Sequence, residues 1–294
     1  MKVEVERLPK NEVKLKIEVE SEKVAHTYSH VVEEMVKNAE VKGFRKGEAP
    51  RNIVEPNLDP SKVRGEVINH LVPQAYDQAI KESHLKPILY PKIELTNFVD
   101  SSSLQFTATT CEAPVVSLGD YKSQITNLKS QNTAGKTILG ADGQPISGGK
   151  EGQDSGDKKI NDVLNALLET STVEMCGLLI DEEVNHMLAR LVDQTGRLGI
   201  TVDQYLISIG KDIEALKKEY REVAEKTLKL EFTLAEAAKE EKIAVEDSEI
   251  QATIDAAPDD QSRKNLAESG NQAYIKNILL KNKTIQKLLE YTNF

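Results

Sequence analysis

The chain has 294 residues, with 38 Lys and Arg against 48 Asp and Glu, a formal net charge of -10, 39% hydrophobic residues and 4% aromatic ones. This acidic balance argues against general nucleic-acid binding, DNA included, because neutralising phosphates needs clustered cations. The two cysteines, Cys111 and Cys176, lie far apart, so they offer neither a disulfide framework nor a zinc spacing and suit a reducing compartment.

The length is enough for two domains of ordinary size, and with so few rings their cores must be built from Leu, Ile and Val. The start, Met1-Lys2-Val3-Glu4-Val5-Glu6, alternates charged and apolar residues and does not read as a signal peptide. No apolar run approaches the ~20 residues of a membrane span. The expectation is a cytoplasmic protein without a membrane partner.

Val3 and Val5 alternate with charges, and so do Val13, Leu15, Ile17 and Val19 after a Pro9-Lys10-Asn11 turn. Period two on both sides of a turn predicts antiparallel strands with one buried face. Ser21 is a suitable N-cap for an amphipathic helix carrying Val24, Tyr28, Val31, Met35 and Ala39. The stretch Val41 to Pro50 then reads as a loop, because Gly43 and Gly47 supply the backbone freedom of a tight reversal and Pro50 ends it.

Between those glycines stand Phe44, Arg45 and Lys46, with Lys42 and Arg51 adding positive charge on either side. A phenylalanine in a loop either folds back onto the nearest helix or serves contact with a partner. A basic knob on an acidic chain suits an anionic partner. Asp59-Pro60 predicts the next helix, with Val63, Val67, Ile68, Leu71, Ala75 and Ile80 on its apolar side and a kink or division at Pro73. Strands return at Ile88 to Leu95 and Leu104 to Thr110, so the first part is an α+β domain of antiparallel strands with a helical hairpin, residues 1–116.

Seven of the 16 glycines fall between Gly135 and Gly156, and residues 117–158 read as a flexible Gly/Ser-rich linker. Ala134-Gly135-Lys136-Thr137 imitates the end of a phosphate-binding loop, but the glycine required five residues before Gly135 is Ser130 and no strand precedes it.

From residue 159 to 294 the periodicity is helical. Stripes run through Ile160, Val163, Leu164, Leu167 and Leu168, and then through Ile180, Val184, Leu188, Leu191 and Val192. A short helix follows, capped by Thr201 and closed by Gly210. A long helix extends from Ile213 to Leu234, a shorter one holds Ile250 and Ile254, and a last one begins near Ala273.

The order Gly43-Phe44-Arg45-Lys46-Gly47-x-x-Pro50 resembles the signature of trigger factor, the bacterial chaperone that docks beside the ribosomal exit tunnel. The β, β, α, loop, α, β, β order is similar to that family's ribosome-binding domain. Ile180-Asp181-Glu182-Glu183-Val184, Thr201-Val202-Asp203-Gln204-Tyr205-Leu206 and Tyr274-Ile275-Lys276-Asn277 resemble its all-α C-terminal chaperone domain with arm-like helices. The resemblance implies an ATP-independent chaperone without cofactors that shields hydrophobic segments of nascent or unfolded polypeptides. It also implies docking on the large ribosomal subunit, at the exit-site protein and nearby ribosomal RNA, and dimerisation off the ribosome. The ribosome-binding residues would be Gly43, Phe44, Arg45, Lys46, Gly47 and Pro50. Met187, Leu188, Leu191, Leu198, Ile200, Leu206 and Ile209 are the candidates for a substrate cradle, with ordinary helix packing as the alternative for each.

Members of that family commonly carry a prolyl isomerase domain between these two parts, with a proline pocket walled by aromatic rings. No Phe, Tyr or Trp occurs between Tyr121 and Tyr205, so the chain reads as a variant lacking that domain and its catalysis. A residual isomerase and a ribosome-independent holding chaperone or assembly factor are the alternatives.

Other candidates for chemistry are weaker. His26 and His30 stand four apart on the first helix, as two ligands of a metal would, but no further ligand is near in sequence, and no metal is expected. His186 reads as half-buried packing, Cys176 lacks a basic neighbour that would activate it, and Glu182-Glu183 reads as solvated surface. No nucleophile with a base and an orienting group can be assembled.

Overall fold

The computed structural model describes residues 1–40, 44–45, 47, 50–98, 103–128 and 156–292. The chain divides into two compact units, Met1–Ala113 and Pro114–Phe294.

In the first unit, β1 (Lys2–Arg7) and β2 (Glu12–Val19) pair antiparallel across the predicted turn, where Lys10 and Asn11 both adopt positive φ. Helix α1 (Ser21–Asn38) starts at Ser21 itself, with Glu20 in the cap position. A short α2 (Arg51–Val54) and the long α3 (Pro60–Glu82) follow, then β3 (Lys92–Phe98) and β4 (Leu104–Cys111). The sheet order is β1-β2-β4-β3, with Leu15 opposite Ala108 and Ile17 opposite Phe106.

Alternation sends Val13, Leu15, Ile17 and Val19 to one face of this sheet, where they are buried with Val24, Val31 and Val32 of α1 and Val67, Leu71 and Ala75 of α3. Asp59 caps α3 by accepting a hydrogen bond from the Ser61 amide at 2.9 Å. The helix passes undivided through Pro73, contrary to one of the two outcomes predicted there, because Leu71, Val72 and Ala75 on either side are buried and hold both halves to the core.

The second unit begins with β5 (Val116–Ser117) and α4 (Tyr121–Asn127), followed by α5 (Gly156–Thr170), β6 (Thr172–Val173), α6 (Gly177–Arg197), α7 (Val202–Ser208) and α8 (Ile213–Glu240). It ends with α9 (Asp247–Asp255), α10 (Asp260–Leu266) and α11 (Ser269–Glu290). Its main core joins Tyr121 and Ile125 of α4 to Val163, Leu164 and Leu167 of α5, Leu230, Leu234 and Ala237 of α8 and Leu288 of α11. A small separate core gathers Leu191 of α6, Leu206 of α7 and Leu216 of α8. Helix α8 therefore serves both, its first turns in the α6–α7 protrusion and its last in the main core.

Residues 117–128 differ from the linker reading. Asp120 caps α4 by accepting from the Ser123 amide at 3.2 Å, and Tyr121 and Ile125 are fully buried. Gly119 adopts a positive φ, and a Cβ there would stand 2.5 Å from the Thr170 carbonyl oxygen, so only glycine allows the chain to turn this close to the end of α5. Residues 129–155, including the Ala134–Thr137 imitation of a phosphate loop, lie outside the described residues.

The start of α4 is pinned by Glu241, at the C-terminal end of α8. Its carboxylate accepts from the Tyr121 hydroxyl at 2.7 Å, the Lys122 ammonium at 2.8 Å and the Tyr291 hydroxyl at 2.9 Å. Burial pushes the Glu241 carboxyl up, and the hydrogen bonds from Lys122, Tyr121 and Tyr291 together more than reverse this, leaving it below the usual carboxylate range. A depressed carboxylate stabilises the fold above its unfolded pKa, and that contribution is lost as pH falls through the folded value. The second unit should therefore lose stability below about pH 4.3. Glu241→Gln should lower its stability at neutral pH by about 1–3 kcal/mol and flatten that acid dependence, both read by urea unfolding at a series of pH values.

Candidate functional site

Among the described residues, large apolar side chains stand in solvent in both units, Tyr90, Val115 and Tyr274 among them, and two groups of them include the candidates from the sequence. The first is the loop between α1 and α2. Phe44 is 43% exposed and Arg45 beside it is exposed. Phe44 stays partly in solvent, whereas the core of the unit buries Phe106 completely. Gly43 and Lys46 lie outside the described residues.

The base of this loop is built from backbone. Gly47 takes φ +81°, and its N–H donates to the Ala39 carbonyl at 3.3 Å, just past the end of α1. A Cβ at Gly47 would lie 2.6 Å from the Lys37 carbonyl oxygen. Pro50 is exposed and stands at the N-cap of α2, where its carbonyl accepts from the Ile53 and Val54 amides at 2.9 and 3.2 Å. Val54 is buried and roots the outgoing limb.

Arg51 is not a loose flanking cation. Its Nε donates to Glu55 at 2.8 Å, and its guanidinium lies 3.7 Å from Glu33 on α1. The hydrogen bond to Arg51 holds the Glu55 carboxyl below its ordinary range.

The second is the region of α6, α7 and α8 around the small core. Leu198 is 75% exposed and Ile207 is 79% exposed, with Val192, Ile200, Ile209 and Ile213 also in solvent. They stand on a firm scaffold. Thr201 and Gln204 form a reciprocal capping box at α7, Asp212 caps α8 through the Ala215 amide at 2.7 Å, and Lys211 binds Glu219 at 2.6 Å.

The cradle candidates divide accordingly. Leu198, Ile200 and Ile209 are exposed, whereas Met187, Leu191 and Leu206 are buried and Leu188 is half-buried against the small core. Sequence reasoning passed over Val192, Ile207 and Ile213. The signal for Ile207 was present: Tyr205, Leu206, Ile207 and Ile209 crowd a single short helix, and they cannot all face inward.

The remaining candidates are placed as follows. His26 and His30 are both exposed, and among the described residues no group of three or more His, Cys, Asp and Glu is arranged to hold a metal. His186 is exposed rather than half-buried, 3.3 Å from Glu182 one turn back, because its position on α6 faces solvent. Cys176 is buried, and its sulfur caps α6 by accepting from the Leu179 amide at 3.4 Å. Among the described residues no helix is long and apolar enough to cross a membrane.

Residues 1–135 match the family model described as bacterial trigger factor protein, and residues 149–290 match the model of its C-terminus. The chain belongs to the trigger factor family. The trigger factor of Desulforamulus reducens is 40% identical over 134 residues, covering 45% of this chain and 31% of that protein. That of Natranaerobius thermophilus is 36% identical over 117 residues, covering 40% and 26%. That of Pelotomaculum thermopropionicum is 34% identical over 138 residues, covering 47% and 32%.

The chain thus matches about a third or less of the length of these curated trigger factors. A solved structure described as "Promiscuous Substrate Recognition in Folding and Assembly Activities of the Trigger Factor Chaperone" superposes with a TM-score of 0.63 at 14% identity, covering 99% of each chain, and shares the fold.

The loop base makes a prediction. Gly47→Ala places a side chain at a positive φ, which costs about 1–2 kcal/mol for an L-residue, and drives its Cβ at the Lys37 carbonyl. Amide exchange should show Gly47 and its neighbours opening faster, with the amides of β4 unchanged.

Proposed function

We propose that the chain is an ATP-independent, cytoplasmic chaperone that docks at the ribosomal exit tunnel through the loop of residues 43–50 and shields hydrophobic segments of nascent chains. The observation that carries this reading is Phe44, exposed beside Arg45 on a loop whose base is held by the Gly47 backbone. A large ring kept in water loses the burial available in a core, so its placement serves contact with something else. Phe44 would fill an apolar notch on the exit-site protein, while Arg45 and Lys46 meet carboxylates or phosphates of that protein and the nearby ribosomal RNA. Contacts of this charge-assisted kind are strong and weaken with salt.

Residues 1–116 would be the docking domain and residues 159–294 the holding domain. Leu198, Ile200, Ile207 and Ile209 are exposed aliphatic groups on a rigid protrusion, and such groups bind apolar segments of many sequences through non-directional burial, without an energy source or cofactor. The family membership and the fold support both halves of the reading. Homodimerisation off the ribosome belongs to the same expectation. The ring-free stretch between Tyr121 and Tyr205 supports the view that this chain lacks prolyl isomerase catalysis.

Salt-controlled co-sedimentation with ribosomes tests the docking half. The intact chain should bind, and a variant with Phe44, Arg45 and Lys46 all changed to alanine should lose binding while remaining folded. Equal sedimentation of the two would remove the ribosome from the account. For the holding half, Leu198→Asp together with Ile207→Asp should reduce suppression of client aggregation, with stability changed by no more than about 0.5 kcal/mol because both sites are on the surface. A proline-peptide assay should show no acceleration of cis–trans exchange.

A further inference from the structure

Arg51 opens α2, one residue after the proline that ends the docking loop. By sequence it belongs with the loop's cations, and an anionic partner would attract it. The geometry points to another use.

The guanidinium is shared between two carboxylates, Glu55 at 2.8 Å on the turn that continues α2 and Glu33 at 3.7 Å on α1. Those are the two limbs of the loop, one entering and one leaving. Helix α2 has only four residues, too few to hold itself in water, so its direction must be set by outside ties. Two are visible: the burial of Val54 and the Arg51 bridge. A planar fork that is always charged can serve two acceptors at once, which a lysine ammonium does less well.

We propose that Arg51 is a positioning residue, fastening the outgoing limb of the loop to α1, and not a cation that meets the partner. This rests on the docking reading above for its effect on binding, but the fastening itself does not.

The experiment uses the full chain and the variants Arg51→Gln, Arg51→Lys and Glu33→Gln, with Arg45→Gln for comparison. Amide exchange at Gly47 and Val54 and ribosome affinity over a range of KCl concentrations are both measured. If Arg51 positions the loop, Arg51→Gln and Glu33→Gln should each speed exchange at those two amides by a factor of about two to five, the range that exposed ion pairs span, with β4 amides unchanged. Arg51→Lys should recover part of the protection. Both neutral variants should weaken ribosome binding by a similar factor without altering the slope of log affinity against log salt, whereas Arg45→Gln should flatten that slope by about one.

The test separates the readings by sign. Glu33→Gln removes a negative charge and cuts the tie between Arg51 and α1, so a docking cation predicts tighter binding and a positioning residue weaker binding. Tighter binding by Glu33→Gln, a flattened slope in Arg51→Gln, or unchanged exchange in both would overturn the proposal. Faster exchange in a protein that does not bind ribosomes at all would sink the docking reading and leave the fastening by Arg51 standing.

Discussion

The backbone of Gly47 lies against the carbonyl of Lys37 with no room for a side chain between them, and the shape of the loop follows from that contact. Helix α1 ends at Asn38, so its last carbonyls need partners from outside the helix. The Gly47 N–H reaches the Ala39 carbonyl and closes the chain on itself there, while Pro50, Val54 and Arg51 direct the way out.

The second unit keeps apolar groups in water by a related device at a larger scale. Helix α8 contributes Leu216 to a small core with α6 and α7, and Leu230, Leu234 and Ala237 to the main one. The region around the small core buries Leu191, Leu206 and Leu216, yet it also carries Leu198, Ile200, Ile207 and Ile209 in solvent. Capping and ion pairs at Thr201, Asp212 and Lys211 hold the end in shape where burial does not. The stiffness comes from backbone and polar contacts, which leaves the apolar side chains uncommitted.

Much of this was legible beforehand. Period-two alternation located β1, β2 and β4, and 3.6-residue periodicity located α1, α3, α5, α6, α8 and α11, because in each case one face is buried and the other is not. The Gly–Pro punctuation around Phe44 was legible for the same reason that it works, since few residues suit those backbone angles. Three things were hidden. Helix α4 is one short capped turn sequence beside a glycine-rich stretch, and β5 with β6 pair only two residues each, too few to show a period. The exposure of Leu198 and the burial of Met187 depend on which side of α6 meets its neighbours, which spacing alone does not say. Arg51 looked like one more cation near the loop because its partner Glu33 is 18 positions earlier and comes close only after α1 and α2 meet.

Helices α4 and α5 pack together in one core, so the two ends between which residues 129–155 run are held by the same core. Both doorposts belong to the same wall. Closing a loop between fixed ends costs free energy that grows only with the logarithm of its length, about 0.6 kcal/mol for each doubling. The length inserted between two such posts is therefore of little consequence for the wall itself. Tyr121, Lys122, Tyr291 and Glu241 brace one post, and Leu164 and Leu167 the other. A fold framed in this way tolerates the exchange of whole modules at one address while its cores stay as they are.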